Sequence, residues 1–404
     1  MAPMLELPGS ARPHAGMLSA RTRWDLSANR LAKAVDARRR AGARILDLTE
    51  SNPTRAGLDR PPDLLRSLTL PAALLYEPAP FGLPAARSAV ASDYARRGYP
   101  LGADRVLLTA STSEAYAFLF KLLCDPGDEV LVPRPGYPLF DYLARLESVR
   151  VVPYPFDHDG AWHLAPSALT AAVTARTRAV VAVNPNNPTG AFLKQDELAA
   201  LEGFCAERRL ALISDEVFAD YAFTDDPRRA PSVARDGPAL AFALGGLSKS
   251  CALPQLKLAW CAVTGPEALR RQAWARLEVV ADTYLSVSTP VQHALPALLA
   301  RREELQAPVR ARVAGNLARL RERLGPVSPA TLLEPEGGWH AVLRVPAVMP
   351  EEERVIRLVE ERDVLVHPGF FFEFPGEAYL VLSLLPEPAV FAEATARLAD
   401  SLVL

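Results

Sequence analysis

Five short stretches of the 404-residue sequence carry side chains that could act together on one ligand. They supply hydroxyls, an aromatic ring, an amide, a carboxylate and an amine, from Ser111, Thr112 and Ser113, then Tyr137, the run NPNNPTG (184–190), the acidic pair Asp215 and Glu216, and Lys249. Hydroxyls at the start of a helix favour phosphate binding, because the free N–H groups and the dipole of the helix also attract an anion. A tyrosine ring can stack on a flat aromatic ligand, and a lysine with a lowered pKa can form a Schiff base with an aldehyde.

Pyridoxal 5′-phosphate (PLP) is a ligand that would use all of these groups. Its ring nitrogen needs an acidic partner, its ring oxygen suits an amide, and its aldehyde reacts with a lysine. Each stretch alone has a simpler interpretation, such as a helix cap, a turn or a solvated surface charge. Those interpretations weaken when all five stretches follow predicted strands, so the sequence predicts a PLP site at the ends of these strands.

Each of the five stretches follows a short apolar run that is typical of a buried strand. Helix-length amphipathic segments separate these runs, a rhythm typical of an α/β domain with a mainly parallel sheet. Ligands bind beyond the carboxyl ends of the strands in such a sheet, so we expect the five stretches at one edge. The predicted strands are RVLLT (105–109), EVLVP (129–133), RVVPY (150–154), AVVAV (179–183), LALIS (210–214), ALAFAL (239–244) and KLAWCAVT (257–264).

The two ends of the chain have a different pattern. WDLSANRLAKAVDARRRAG (24–42) predicts a helix and ILDLT (45–49) a short strand. Beyond residue 330, short strands and helices alternate with a new rhythm. We therefore predict a large PLP-binding domain over 55–305 and a smaller α+β domain built from 1–54 and 306–404.

Composition excludes several classes of protein. The 45 Lys+Arg and 47 Asp+Glu residues give a net charge of −2, which argues against a nucleic-acid-binding protein. No apolar run approaches the roughly 20 residues that a membrane-spanning helix needs. The four cysteines form no CxxC pair and have no metal-ligand spacing, so we predict neither a disulfide framework nor a metal site. A cytoplasmic protein is the default expectation.

The same segments resemble those of the fold-type I PLP-dependent aminotransferases of class I/II, over roughly residues 45–385. NPNNPTG is similar to the family's NPxNPTG, ISDEVF (213–218) to the strand end with the pyridine-binding aspartate, and GLSKSCALPQLKLA (246–259) to the Schiff-base signature. The resemblance implies a PLP-dependent transferase fold, with a three-layer, mainly parallel large domain and a smaller α+β domain. It also implies an enzyme that moves an amino group between an amino acid, or an amine, and a 2-oxo acid.

The resemblance further implies roles for individual residues. Lys249 would hold the cofactor as a Schiff base, Asp215 would pair with its ring nitrogen and Asn187 would contact its ring oxygen O3′. The other cofactor-binding positions are Ser111, Thr112, Ser113, Tyr137, Ser248, Lys257 and Tyr76, and the substrate-binding positions are Ser51, Asn52 and Trp339. Tyr76 matches a tyrosine that reaches the phosphate in the other subunit, which implies a homodimer with its active site at the interface.

Three cofactor positions depart from the family's pattern. Phe218 stands where the family has a tyrosine that hydrogen-bonds O3′. Asn187 must therefore supply more of the hydrogen bonding to O3′, unless the hydroxyl of Tyr221 replaces that tyrosine. Lys257 replaces an arginine on the phosphate, which keeps the charge but loses the bidentate fork. Ser111 replaces a glycine, so we expect the backbone there to avoid a positive φ.

A fourth departure, Val381 in AYLVLSLLP (378–386), bears most on function. The family has an arginine at this position, which binds the substrate α-carboxylate. Either Arg23, Arg344 or His367 supplies a cation instead, or the substrate presents no α-carboxylate there. Two other functions therefore stay open: a PLP-dependent lyase, cyclase or decarboxylase on the same fold, and a PLP-binding protein without turnover.

Overall fold

The computed structural model describes residues 17–326, 328–376 and 378–402, so the first 16 residues of the predicted small domain lie outside it. The described strands are β1 (Leu46–Asp47), β2 (Val106–Thr109), β3 (Glu129–Arg134), β4 (Arg150–His158), β5 (Trp162–Leu164), β6 (Thr177–Val183), β7 (Ala211–Asp215), β8 (Ala241–Gly246), β9 (Ala259–Thr264), β10 (Thr331–Leu333), β11 (His340–Arg344), β12 (Val364–Leu365), β13 (His367–Pro368) and β14 (Tyr379–Ser383). The described α-helices are α1 (Arg30–Arg40), α2 (Pro84–Arg96), α3 (Thr112–Leu123), α4 (Phe140–Leu146), α5 (Pro166–Ala172), α6 (Gln195–Arg208), α7 (Leu247–Ser250), α8 (Glu267–Tyr284), α9 (Thr289–Ala300), α10 (Arg302–Leu324), α11 (Glu351–Arg362) and α12 (Pro388–Leu402). None of the helices in these ranges is long and apolar enough to cross a membrane.

Eight strands form the central sheet in the order β2-β9-β8-β7-β6-β3-β4-β5. The neighbours β8, β7, β6, β3 and β4 are parallel, whereas β9 is antiparallel to both β8 and β2. Because β2 and β8 are both antiparallel to β9, these two strands run in the same direction. The five strands that precede the predicted site, β2, β3, β6, β7 and β8, therefore all end at one edge of the sheet.

The predicted strands of this sheet are all present, and the α/β prediction is confirmed. The largest difference is at β4, which continues to His158 instead of ending at 154. It does so because its last residues pair with β5, an antiparallel edge strand that the sequence pattern did not indicate. At the N-terminal end, α1 begins at Arg30 instead of 24, since Asn29 Oδ1 accepts a hydrogen bond from Ala32 N at 2.7 Å and caps the helix.

Both faces of the central sheet are buried. Val180 and Leu212 point into one apolar core, while their neighbours Val181 and Ile213 point into another. Helices α2 and α9 contribute to the first core and α3 and α8 to the second. The result is the three-layer arrangement expected of a mainly parallel sheet.

A second, antiparallel sheet has the order β10-β11-β14-β13 and packs on a third core. The two ends of the chain meet beside it, because β1 pairs in parallel with β12, Leu46 opposite Val364. This pairing is consistent with a small domain made from both ends. The boundaries 55–305, 1–54 and 306–404 remain a prediction.

A buried charge cluster holds α10 against the central part of the chain. Arg302 donates to Asp93 Oδ2 at 2.5 Å on α2 and also to Asp220, which follows β7. Gln306 Nε2 donates to Asp220 Oδ2 at 2.9 Å and to the carbonyl of Ser250 at 2.8 Å. Because Ser250 directly follows Lys249, the cluster fixes the backbone next to the predicted catalytic lysine.

Candidate active site

A cavity of about 450 Å³ lies where the five strands end. Each of the five stretches contributes to its lining, through Ser111, Thr112, Ser113, Tyr137, Asn187, Asp215, Ser248 and Lys249. The opposite wall comes from the second sheet and its surroundings, through His340, His367, Phe371 and Phe372. Side chains from distant parts of the sequence are thus brought together around one space.

The N-terminus of α3 forms one end of the cavity. Ser111 caps the helix, since its Oγ accepts a hydrogen bond from Glu114 N at 3.1 Å. Its φ is −165°, which is extended backbone, so the prediction that position 111 avoids a positive φ is confirmed. The first turn of the helix and the hydroxyls of Thr112 and Ser113 can therefore receive an anion.

The three asparagines of NPNNPTG have different tasks. Asn184 Oδ1 accepts from Leu193 N at 3.0 Å, and Asn186 Oδ1 accepts from Thr189 Oγ1 at 2.9 Å, so both hold the loop itself. Asn187 lines the cavity, and its Oδ1 is buried with no hydrogen-bond partner in the described part of the chain. Its amide is thus the one of the three left to bind a ligand.

Asp215 lies at the end of β7 and faces the cavity. Burial raises the pKa of its carboxyl to about 6, against the lowering effect of hydrogen bonds from Val217 N to Oδ1 and from Tyr116 Oη to Oδ2, each 3.2 Å. Tyr116 was not among the residues predicted from the sequence. No local pattern indicates it, because the contact arises only when α3 packs beside the end of β7.

Lys249 lies in the short helix α7, directly after β8. Burial lowers the pKa of its ammonium to about 8, although the nearby Asp215 carboxylate favours the charged form. The Nζ atom lies 5.3 Å from the ring centroid of Phe218 and 4.8 Å from that of Trp339. The half-buried lysine thus lies near two aromatic rings at the cavity, and a lowered pKa makes a lysine amine nucleophilic.

The structure places two residues near Lys249 outside the cavity lining. Trp339 does not line the cavity but is fully buried beneath it, with its ring edge-on to Phe218 and Tyr221 at 5.3 Å and 5.0 Å. Tyr221 does not substitute for a tyrosine at 218, because its hydroxyl donates to the carbonyl of Lys249 at 2.6 Å. Phe218 itself faces the cavity and offers no hydrogen bond.

Three other predicted residues lie outside the cavity lining. Lys257 is exposed, in a left-handed backbone conformation with φ 50°. Tyr76 is 67% exposed on the surface of this chain. Asn52 uses its Oδ1 to accept from Thr54 N at 3.0 Å and Thr54 Oγ1 at 2.8 Å, whereas its predicted companion Ser51 does line the cavity.

Position 381 offers no charge to a substrate, since Val381 is fully buried. Of the three substitutes considered from the sequence, Arg23 and Arg344 are exposed and outside the lining, and His367 is inside it. A second histidine, His340, also lines the cavity and was missed by sequence reasoning. Burial lowers the pKa of both imidazoles, that of His340 to about 3.

The arrangement fits PLP. The cavity has the size of a cofactor site, with an anion-binding helix end, the ring of Tyr137, the carboxylate of Asp215 and the amine of Lys249 around it. The unpaired amide atom of Asn187 gives a further polar contact that the protein itself does not satisfy.

Comparison with known proteins decides the family. Residues 66–387 match the family model of the class I and II aminotransferases. The chain belongs to this family. The prediction of an aminotransferase from the five stretches and their motifs is therefore confirmed.

This aminotransferase resembles several known ones over most of its length. It is 31% identical over 376 residues to the alanine aminotransferase of Mycobacterium tuberculosis, covering 90% of this chain and 86% of the relative. It is 26% identical over 355 residues to the glutamate-pyruvate aminotransferase AlaA of Escherichia coli, covering 85% and 87%. An aminotransferase structure from E. coli superposes with a TM-score of 0.82 at 25% identity, covering 93% and 94% of the two chains. The alanine aminotransferase of Pyrococcus furiosus, 23% identical, shares the fold with a TM-score of 0.83 over 92% and 95%.

The contact between Tyr116 and Asp215 leads to a pH prediction. Hydrogen bonds to an ionised group contribute about 1.5–3 kcal/mol, so Tyr116→Phe should raise the pKa of Asp215 by about one unit from about 6. Asp215 must be ionised to pair with a protonated ring nitrogen, so PLP binding to the apoprotein should weaken as the pH falls through this pKa. We expect that midpoint at a higher pH in the variant, measured as the PLP dissociation constant by tryptophan fluorescence. Tyr154→Phe is the control, because Tyr154 donates to the carbonyl of Val181 at 2.7 Å, outside the cavity lining. Equal midpoints in wild type and Tyr116→Phe would contradict the role of Tyr116 in stabilising the ionised Asp215 carboxyl.

Proposed function

We propose that this aminotransferase binds PLP in the cavity, covalently through Lys249, and exchanges an amino group between an amino acid or amine and a 2-oxo acid. The observation that carries the proposal is the buried Lys249 amine beside Asp215, in a cavity that ends at the N-terminus of α3. When bound, PLP reacts through its aldehyde with an amine and withdraws electrons from the carbon that the amine carries. The rest of the chemistry falls to residues of the chain.

Lys249 has two tasks in this proposal. With a pKa of about 8, part of its population is uncharged near neutral pH, and only the uncharged amine is a nucleophile. In its uncharged form Nζ would also take a proton from the substrate Cα and deliver it to the aldehyde carbon of the cofactor. Phe218 and Trp339 support both tasks, since their rings lie close to Nζ and contribute to its desolvation.

The other lining residues hold the cofactor in one orientation. Asp215, kept in place by Tyr116, would keep the ring nitrogen protonated, and Asn187 would donate to the ring oxygen. Tyr137 would stack on the ring face. The phosphate would be held at the start of α3 and by the hydroxyl of Ser248, since Lys257 is exposed and outside the lining.

A PLP-dependent lyase, cyclase or decarboxylase is the alternative reaction on this fold. Phe218 and Val381 favour it, because both replace residues that the resemblance associates with transamination. Family membership supports the transferase reaction instead. The two differ in what an amino donor leaves behind on the protein.

The test is an absorbance titration of the purified protein with PLP, followed by addition of a panel of amino donors. We expect a visible band that stays with the protein after unbound PLP is removed, its conversion to the aminated cofactor by a donor, and its recovery with pyruvate, 2-oxoglutarate or glyoxylate. Lys249→Ala should abolish both the band and turnover. Lys121→Ala is the control, because this lysine pairs with Glu147 at 2.5 Å on the surface. A protein that gains no band would contradict the proposal, and release of ammonia without the aminated cofactor would favour a lyase.

We further propose that the enzyme is a homodimer in which Tyr76 reaches the phosphate site of the partner. Exposed apolar side chains near Tyr76 support this, with Leu74 93% and Leu75 60% exposed. Such a cluster is costly in water and is typical of a surface that another chain covers. The four cysteines, all free thiols, support a reducing, cytoplasmic location.

Mixing two inactive variants tests the dimer. In a hybrid of Lys249→Ala and Tyr76→Ala chains, one of the two sites would combine an intact Lys249 with an intact Tyr76 from the partner. We expect each variant alone to be impaired and the refolded mixture to regain part of the activity. A monomeric mass in light scattering, or a mixture no more active than its components, would contradict the shared site.

A further inference from the structure

The residue in place of the family's arginine lies opposite one histidine and diagonally across from another. In the second sheet, Val381 on β14 pairs with His367 on β13 and with Val342 on β11. Residues directly opposite each other in a sheet point to the same face, as do residues two apart on one strand. His340, two residues before Val342, therefore shares the face of Val381 and His367, and its pairing partner is Ser383.

Both imidazoles reach the cavity from this face. His340 Nε2 lies 3.1 Å from Ser51 Oγ, and Ser51 also lines the cavity. The surrounding walls are apolar, with His340 6.5 Å from Phe372 and His367 5.7 Å from the same ring, centroid to centroid. The substrate end of the cavity thus combines imidazole and hydroxyl hydrogen-bonding groups with phenyl rings.

No arginine lines the cavity in the described part of the chain, and Lys249 is its one lysine. Lys249 is committed to the cofactor in the proposed function. A 2-oxo acid acceptor nevertheless brings a carboxylate next to its reacting carbonyl, and a buried carboxylate without hydrogen-bond donors is costly. The polar groups of this chain at that end of the cavity are His340 and His367, with Ser51, whose Oγ lies 3.1 Å from His340 Nε2 and 3.3 Å from the carbonyl oxygen of Thr49.

The electrostatics suit an anion that arrives from solution. Burial lowers the pKa of both imidazoles. An uncharged imidazole has one N–H, so His340 can donate to a ligand through Nδ1 in the tautomer in which Ser51 Oγ donates to Nε2. An incoming carboxylate would strengthen these hydrogen bonds and raise the pKa of the imidazoles. The charged groups that face the pair are Lys249, at the end of β8, and Asp47 on β1, whose carboxylate lies towards His367.

Building on the proposed exchange with a 2-oxo acid, we infer that His367 and His340, the latter oriented by Ser51, bind the substrate α-carboxylate in place of an arginine. The substrate class is then α-amino acids and their 2-oxo acids, not simple amines. His340 and His367 are specificity-determining residues in this account.

The test compares the most active amino acid donor of the panel with the amino alcohol formed by reducing its carboxyl group. The readout is the rate of cofactor amination at limiting donor, by stopped-flow absorbance. We expect wild type to prefer the amino acid. His367→Ala should lower the rate with the amino acid about tenfold or more, because a charge-assisted hydrogen bond to the carboxylate is lost. The same substitution should leave the rate with the amino alcohol unchanged. Adding Val381→Arg to His367→Ala should restore the preference.

Two controls separate recognition from structural damage. The PLP dissociation constant should not change in His367→Ala, and His158→Phe, at a histidine packed on Trp162 outside the cavity lining, should behave as wild type. Equal losses with both donors, or a wild-type preference for the amino alcohol, would overturn the inference while leaving the aminotransferase proposal intact. Failure of every donor to aminate the cofactor would instead contradict the proposed function.

Discussion

The site depends on the partial desolvation of one lysine amine. Burial lowers the pKa of Lys249 to about 8, and this desolvation makes the amine available as a nucleophile and a base near neutral pH. The cost of burial is offset by the Asp215 carboxylate and by the ring faces of Phe218 and Trp339, which attract a cation. The helices, the second sheet and the loops around the cavity all contribute to this enclosure.

The backbone that carries Lys249 is held from the side opposite the cavity. Tyr221 donates to the carbonyl of Lys249, and Gln306 donates to the carbonyl of the following Ser250. Gln306 belongs to the buried cluster around Arg302, so α10 is coupled to the position of the lysine. Losing one member of such a buried charge cluster is strongly destabilising, because its partners stay buried without compensation.

The strand ends could be predicted because the signals are local. A buried apolar run followed by a polar turn identifies an edge of the sheet, and a shared strand direction brings Ser111, Asn187, Asp215 and Lys249 together. Contacts that depend on the packing of one helix or strand against another could not be predicted from local patterns. Tyr116 contacts Asp215 across the gap between α3 and β7, and the preceding residues give no sign of it. Likewise, the resemblance indicated Trp339 as a substrate-binding residue. Adjacent residues of an extended chain point to opposite sides, and here the side chain of His340 lines the cavity whereas that of Trp339 is buried.

Chemical mapping of the attachment site tests the central claim most directly. The protein loaded with PLP is reduced with borohydride, digested and analysed by mass spectrometry, and the abundant arginines give short peptides around every lysine. The account predicts one phosphopyridoxyl group per chain, on the peptide that contains Lys249. A group on Lys33, Lys121, Lys194 or Lys257, or no stable addition at all, would contradict it.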